Sequence, residues 1–245
     1  MVKLKSTSDR GSVAIIPAAG SGTRMGSQRP KQFLDLCGRS MLVETLQPFQ
    51  DCQQVAAIIL VVPPEEVDYC KREIVDRFAF HKVWKVVPGG KRRQDSVRKG
   101  IEATDGQYDL VVIHDGVRPF VDQDLINRLI TAAKGHRAVI AGMPPKETVK
   151  EANRVDEVVR THNRRRIWLV QTPQVFRYPD IREAHLRALD EGWEEATDDA
   201  VLVERLGIPV KVVAGSERNI KVTTPYDLEL ARFLLAETRQ KGEKA

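Results

Sequence analysis

The stretch Val13–Lys31 reads VAIIPAAGSGTRMGSQRPK, and the reading of the whole chain turns on it. Val13–Ile16 is a short unbroken apolar run, the pattern of a strand buried on both faces. Pro17 ends it, having no N–H to give to a sheet ladder. Ala18, Ala19, Gly20, Ser21 and Gly22 follow. A loop without bulky side chains lets successive backbone N–H groups converge on an anion. Arg24 and Lys31 then supply two cations. A strand, a small-residue loop and two cations are suited to holding a polyphosphate.

Spacing separates this from two familiar motifs. A P-loop requires Gly-Lys-Ser/Thr, which occurs nowhere in the chain. A dinucleotide fingerprint requires Gly-x-Gly-x-x-Gly, whereas Gly20, Gly22 and Gly26 give Gly-x-Gly-x-x-x-Gly, one residue too long. That fingerprint also needs no Arg or Lys, because a helix N-terminus holds its phosphates. The bland alternative is a Gly-rich surface turn with stray charges.

Working outward, buried strands alternate with helical spacing. Ala56–Val62 reads as a second strand ended by Pro63-Pro64, and Glu65–Phe78 as a helix with Val67, Cys70, Ile74 and Phe78 on one face. Val83–Val87 leads into Pro88-Gly89-Gly90 and a helix from about Gln94 to Ala103. Leu110–Ile113 closes on His114-Asp115-Gly116, Asp122 caps a helix, and Ala138–Ala141 is a fifth strand. Gln32–Leu36 reads as extended, and Ser40 caps a helix to about Phe49. Repeated βα units imply a doubly wound, mostly parallel α/β sheet with right-handed crossovers. Ligands of such sheets bind beyond the carboxyl ends of the strands. The loops after Ile16, Val87 and Ile113 are therefore expected to meet in one crevice.

The alternation breaks between about Pro144 and Val170. Glu147–Glu151 and Val155–Thr161 read as two polar β-prone runs joined near Asn153. An isolated hairpin is marginal in water, so this arm is expected to dock on a second copy of the chain. Beyond it, Ile167–Val170 reads as a strand leading into Gln171-Thr172-Pro173-Gln174. Asp180–Leu189, Asp198–Leu206 and Pro225–Ala236 read as helices, and Val210–Val213 and Ile220–Val222 as short extended pieces. The expectation is one domain over 1–245 with an arm inserted at about 144–170.

Composition narrows the function classes. The 245-residue chain carries a net charge of +5, and its basic runs, Lys91-Arg92-Arg93 and Arg164-Arg165-Arg166, lack interleaved aromatics. Such runs are usually solvated faces, so nucleic acid is not expected as a partner and small anions are. Cys37, Cys52 and Cys70 are far apart and odd in number, which suits free thiols in a reducing compartment. The longest apolar run, Val55–Val62, is too short to span a bilayer, and no apolar leader follows the N-terminal lysines. A cytoplasmic protein without membrane partners is expected. The five histidines show no zinc-ligand spacing.

With these residues in hand, the chain resembles the 2-C-methyl-D-erythritol 4-phosphate cytidylyltransferase family from Val13 to about Leu235. The likeness rests on PAAGSGTRMG at 17–26, PKQF at 30–33, PGG with DSV at 88–97 and HDGVRPF at 114–120. ETVK at 147–150, QTPQVF at 171–176, TDDA at 197–200 and NIKVT at 219–223 complete it. The resemblance implies a Rossmann-like nucleotidyltransferase with a dimerising β-arm. It also implies a reaction joining CTP and methylerythritol phosphate, with Mg²⁺ across the triphosphate oxygens. It implies Arg24, Lys31 and Lys221 as the catalytic cations. Pro17, Ala18, Ala19, Gly20, Ser21, Gly22, Gly89, Gly90, Ser96 and Asp115 are implied to bind nucleotide. Arg118, Thr148, Arg164 and Thr172 are implied to bind the sugar-alcohol phosphate, Thr148 and Arg164 from the neighbouring subunit's arm. No metal ligand is assigned. Asn163 stands where the family more often has Asp, and Gly116-Val117 replaces a frequent Ala-Ala. The rival readings are a cytidylyltransferase of ribitol phosphate, another sugar-phosphate nucleotidyltransferase, and a non-catalytic nucleotide-binding regulator.

Overall fold

A computed structural model describes residues 10–20, 29–193 and 196–242. Along the chain, β1 (Ser12–Pro17) is followed by the short pair β2 (Asp35–Leu36) and β3 (Arg39–Ser40), then α1 (Met41–Asp51) and β4 (Val55–Val62). Next come α2 (Val67–Tyr69), β5 (Val83–Pro88), α3 (Arg93–Glu102), β6 (Leu110–Ile113), α4 (Gln123–Ala133) and β7 (Ala138–Met143). The arm holds β8 (Lys150–Ala152) and β9 (Val158–Thr161). It precedes β10 (Leu169–Arg177), α5 (Tyr178–Asp190), α6 (Asp199–Arg205), β11 (Val210–Ala214) and α7 (Pro225–Gly242).

Seven strands form one sheet in the order β11-β7-β10-β6-β1-β4-β5, parallel throughout except for β10. The period of 2 in each strand divides the core into two layers. Ala14, Ile16, Ile58, Leu60 and Val112 face α1 and α4, meeting Leu46, Phe49, Leu125 and Leu129. Val13, Ile15, Ile59, Val111 and Ile113 face α3, α5 and α6, meeting Val97, Ile101, Ile181 and Leu202. Strands covered on both faces must be apolar throughout, which is why β1 and β4 are nearly continuous runs of Val, Ile, Leu and Ala. From β1 the chain moves outward to β4 and β5, then returns to lay β6 on the other side of β1. A crevice opens at such a reversal, at the carboxyl edge between β1 and β6.

Three sequence readings are corrected. The strand read at Ile167–Val170 lies further along: β10 spans Leu169–Arg177 and runs through Gln171-Thr172-Pro173-Gln174, antiparallel between β6 and β7, with its register on β7 shifted between Gln171 and Gln174. Its polar residues and proline mask a strand whose end, Val175-Phe176, is fully buried. Gln32–Leu36 is a 3-10 turn at Lys31–Phe33 followed by β2, not one extended run. Ile220–Val222 forms no strand; it docks through Val222 N–H on the Val117 carbonyl oxygen at 2.9 Å. The helix expected over Glu65–Phe78 forms, with Cys70 and Ile74 buried, but it is wound as a π-helix from Cys70 to Asp76.

Candidate active site

The three loops foreseen at the strand ends meet in one cleft of about 150 Å³. Pro17, Ala18, Ala19 and Gly20 come from the end of β1, Gly90, Lys91, Arg92, Arg93 and Ser96 from the β5–α3 junction, and Asp115 and Val117 from the end of β6; Lys31, Gln32 and Lys221 complete the lining. Ser21, Gly22 and Arg24 lie outside the described residues.

Close packing of small residues makes this convergence possible. Ala18 N–H bonds to the Val61 carbonyl oxygen at 2.7 Å, and the buried Gln32 side chain donates to the Ala18 carbonyl oxygen at 2.6 Å. Both ends of the first loop are thereby pinned. A Cβ on Gly89 would lie 2.3 Å from the Ala19 Cβ, so only glycine lets the two loops touch. Ser96 Oγ accepts from Gly90 N–H at 3.1 Å and donates to the Arg92 carbonyl oxygen at 3.1 Å. Its role in the free chain is to tie the first turn of α3 to the glycine loop.

Charge converges on Asp115, which is 6% exposed. Arg93 Nε lies 2.8 Å from Oδ1 and Lys221 Nζ 2.8 Å from Oδ2, with Arg118 Nε at 4.0 Å. Burial alone would raise the Asp115 pKa, but Arg93 and Lys221 hold it well below the usual carboxylate range. Arg93 also reaches Asp199 Oδ2 through Nη1 at 2.8 Å, and Asp199 Oδ1 is 3.2 Å from His185 Nε2. Burial would lower the Arg93 pKa, yet Asp199 and Asp115 push it up. The guanidinium stays charged.

Lys221 is delivered by the loop after β11. Asn219, fully buried, donates to the Thr172 carbonyl oxygen at 2.7 Å, while its own carbonyl oxygen accepts from Arg118 Nη1 at 2.7 Å. Asn219 therefore locks Lys221 to β10 and to the β6 loop. A second cleft adjoins the first through Arg93, Asp115 and Lys221, and includes Arg118, Gln171, Thr172 and Thr197. Of the implied acceptor-binding residues, Arg118 and Thr172 line it. Thr148 and Arg164 line neither cleft and are exposed on the arm.

Sequence reasoning missed Arg93 and Asp199. Arg93 belongs to a basic run read as solvated, but it turns inward. The Asp95 carboxylate, accepting from Arg92 N–H at 3.2 Å, starts α3 at Arg93, at the carboxyl edge of the sheet. Asp199 follows Asp198, whose side chain caps α6 by accepting from Val201 N–H at 3.1 Å. Two adjacent acids at a helix start give no signal as to which is buried.

Among the described residues, no cluster of three or more His, Cys, Asp or Glu side chains is placed to hold a metal. Both oxygens of Asp115 face cations. The site therefore suits Mg²⁺ carried on substrate phosphate oxygens, the usual habit of this ion, and not a protein cage.

A family model described as 2-C-methyl-D-erythritol 4-phosphate cytidylyltransferase matches residues 12–237. A protein of that name from Geobacter metallireducens is 44% identical over 228 residues, covering 91% of this chain and 97% of the relative. One from Syntrophus aciditrophicus is 46% identical over 223 residues, with 91% and 95% covered. Among solved structures, the cytidylyltransferase of that name from Thermus thermophilus matches with a TM-score of 0.73 at 35% identity, covering 91% of this chain and 98% of the other. A 4-diphosphocytidyl-2C-methyl-D-erythritol synthase from Anaerococcus prevotii matches with a TM-score of 0.82 at 34% identity, covering 92% and 96%.

Proposed function

This chain belongs to the 2-C-methyl-D-erythritol 4-phosphate cytidylyltransferase family, and we propose that its two adjoining clefts hold the two substrates of that reaction. The enzyme is a nucleotidyltransferase of isoprenoid biosynthesis: CTP and 2-C-methyl-D-erythritol 4-phosphate give CDP-methylerythritol and pyrophosphate. The cleft of Ala18, Ala19, Gly20, Gly90 and Ser96 takes CTP, with Gly89 packed against Ala19 but not lining it; the cleft of Arg118 and Thr172 takes the sugar-alcohol phosphate. Arg93, Asp115 and Lys221 lie on the wall between them. That shared wall carries the reading, because it is where one phosphate must meet the other.

The chemistry asks for no general base. The acceptor phosphate has a second pKa near ~6 and is already ionised at neutral pH. One of its oxygens attacks the α-phosphorus of CTP, and the bond to the bridging oxygen of pyrophosphate breaks. The obstacle is repulsion between two anions. Lys221, Arg93 and Arg118 set three cations against the carboxylates of Asp115 and Asp199, leaving positive potential where the phosphates meet. Lys31, at the mouth of the first loop, is assigned to the β- and γ-phosphates, together with Arg24. Asp115 acts by orienting Lys221 and Arg93. Mg²⁺ bound on the triphosphate would neutralise charge on the leaving pyrophosphate.

The chain is read as one nucleotidyltransferase domain whose arm, about 144–170, docks on a second copy. Every residue of β8 and β9 is exposed, the two strands pair only with each other, and Val155, Val158, Val159 and Leu169 are each more than half exposed. A second subunit would cover this surface and bring Thr148 and Arg164 to its neighbour's acceptor cleft. Cys37, Cys52 and Cys70 are all free thiols, as suits a reducing cytoplasm. No helix among the described residues is long and apolar enough to cross a membrane.

A pyrophosphate-release assay over CTP, UTP and GTP against methylerythritol phosphate and ribitol phosphate tests the reading. Turnover with CTP and methylerythritol phosphate is expected to exceed every other pair. A preference for ribitol phosphate would overturn the acceptor assignment, and a preference for UTP or GTP the nucleotide assignment.

A further inference from the structure

His114 follows β6 and is fully buried, its ring packed on that of Phe49 with centroids 5.1 Å apart. Its two nitrogens have different neighbours. Nε2 lies 3.1 Å from the carbonyl oxygen of Arg118, and Nδ1 lies 3.1 Å from the hydroxyl oxygen of Thr172. A carbonyl oxygen only accepts, so the ring hydrogen belongs on Nε2. Burial pushes the imidazole down to about 4, so at neutral pH it carries one hydrogen and not two. Nδ1 is then a bare acceptor, and the Thr172 hydroxyl must donate to it.

The remaining capacity of that hydroxyl can be counted. A threonine hydroxyl offers one donor and two lone pairs. Its hydrogen is given to His114, and one lone pair accepts from the Asp115 backbone N–H at 3.1 Å. One lone pair is left, on a side chain that lines the acceptor cleft. We infer that His114 is a positioning residue that fixes the Thr172 hydroxyl as an acceptor, so that Thr172 selects a hydroxyl group of the sugar-alcohol phosphate and not its phosphate.

An ionised phosphate oxygen has no hydrogen to offer Thr172; a carbinol does. The phosphate end is left to the guanidinium groups of the same cleft. Arg93 Nη2 and Arg118 Nε are both buried N–H donors without a hydrogen-bond partner among the described residues. The acceptor is thereby oriented, polyol toward β10 and phosphate toward Arg93 and Arg118. This rests on the assignment of the second cleft to the acceptor.

Two measurements test it. Long-range ¹H–¹⁵N spectra of the native protein at pH 7.5, with His114→Asn to assign the ring, should show a hydrogen on Nε2 and none on Nδ1. A hydrogen on Nδ1, in either the other tautomer or an imidazolium, would overturn the inference. In steady-state assays, Thr172→Val should raise the KM for methylerythritol phosphate at least tenfold and leave the KM for CTP within twofold. It should abolish competitive inhibition by the phosphate-free polyol, 2-C-methylerythritol, while inhibition by inorganic phosphate stays within twofold. Thr172→Ser should restore the native pattern. Equal loss of polyol and phosphate inhibition, or an unchanged acceptor KM, refutes the selection of a hydroxyl. Failure of the functional reading looks different: native protein would release no pyrophosphate with methylerythritol phosphate, while the ring tautomer would still be readable.

Discussion

Arg93 grips Asp115 through Nε and Oδ1 at 2.8 Å, and the same guanidinium reaches Asp199 through Nη1 at 2.8 Å. One cation from the start of α3 thus fixes a carboxylate from the end of β6 and another from the start of α6. Both carboxylates are nearly inaccessible to water, with Asp199 only 1% exposed. Arg93→Gln is expected to cost about 3–5 kcal/mol of unfolding free energy, since removing one partner leaves the other charge buried and unpaired. Arg93→Lys should recover only part of this, because one ammonium cannot span both acids as a planar fork does. Urea unfolding checks the stability, and Arg93→Gln/Asp199→Asn should be less destabilised than the sum of its single changes.

The proposed roles of Lys221 and Lys31 are on the transition-state side. Replacement of either by Ala should lower kcat by about 10²–10³, or roughly 2.7–4 kcal/mol, the scale for one oriented electrostatic contact. Lys221 is more than a third exposed, so folding should be little affected. Burst and steady-state kinetics with CTP decide the matter. A near-native kcat with a raised KM would move either lysine to ground-state binding.

Gly89→Ala probes the nucleotide loop by shape alone. Its new Cβ would lie 2.3 Å from the Ala19 Cβ and 3.0 Å from Ser96 Oγ, neither at the end of a flexible chain. The loops from β1 and β5 must separate, at an overpacking cost of about 1–3 kcal/mol. The KM for CTP should rise at least about tenfold while inhibition by 2-C-methylerythritol is unchanged; equal effects on both would disconnect Gly89 from the nucleotide.

Much of this arrangement is legible in the sequence where the residue pattern follows from burial. The unbroken apolar runs of β1 and β4 announce strands covered on both faces, and strand order then brings Ala18, Gly90 and Asp115 together. What escapes is whatever depends on long-range partners. Arg93 looks like any arginine of a surface run until Asp115 and Asp199 are seen beside it. The strand at Thr172 is hidden because its polar side chains bond to His114 and to the backbone of Asp115, which local patterning does not reveal. The π winding after Cys70 has no sequence signal that we can identify.

Stability should depend on pH through His114 in a defined window. Its pKa is lowered by burial from 6.5 to about 4 in the folded protein. Above pH 6.5 both folded and unfolded chains hold it neutral, and it contributes nothing. As pH falls toward 4 the unfolded chain takes up the proton first, so the fold loses about 3 kcal/mol. Asp115 and Asp199 act lower: with folded pKa values depressed by Arg93 and its neighbours, their stabilisation is complete above about pH 4 and fades below it. Urea unfolding of native protein between pH 7.5 and 4.5 should slope accordingly, and His114→Asn should flatten the slope in that interval.

The arm supplies the last prediction, because Thr148 and Arg164 are exposed and line neither cleft of their own chain. If they serve the site of a second copy, Arg164→Ala should raise the KM for methylerythritol phosphate and spare that for CTP. The sharper experiment mixes two crippled proteins. Arg164→Ala keeps intact clefts but a defective arm, and Lys221→Ala keeps an intact arm but a defective cleft. After subunit exchange, half the dimers are mixed, each with one complete site, so about a quarter of native activity should return. Recovery requires that one chain complete the other's site. Mixtures no more active than their average would confine Arg164 to its own chain, and a monomeric mass in sedimentation at micromolar concentration would remove the second copy altogether.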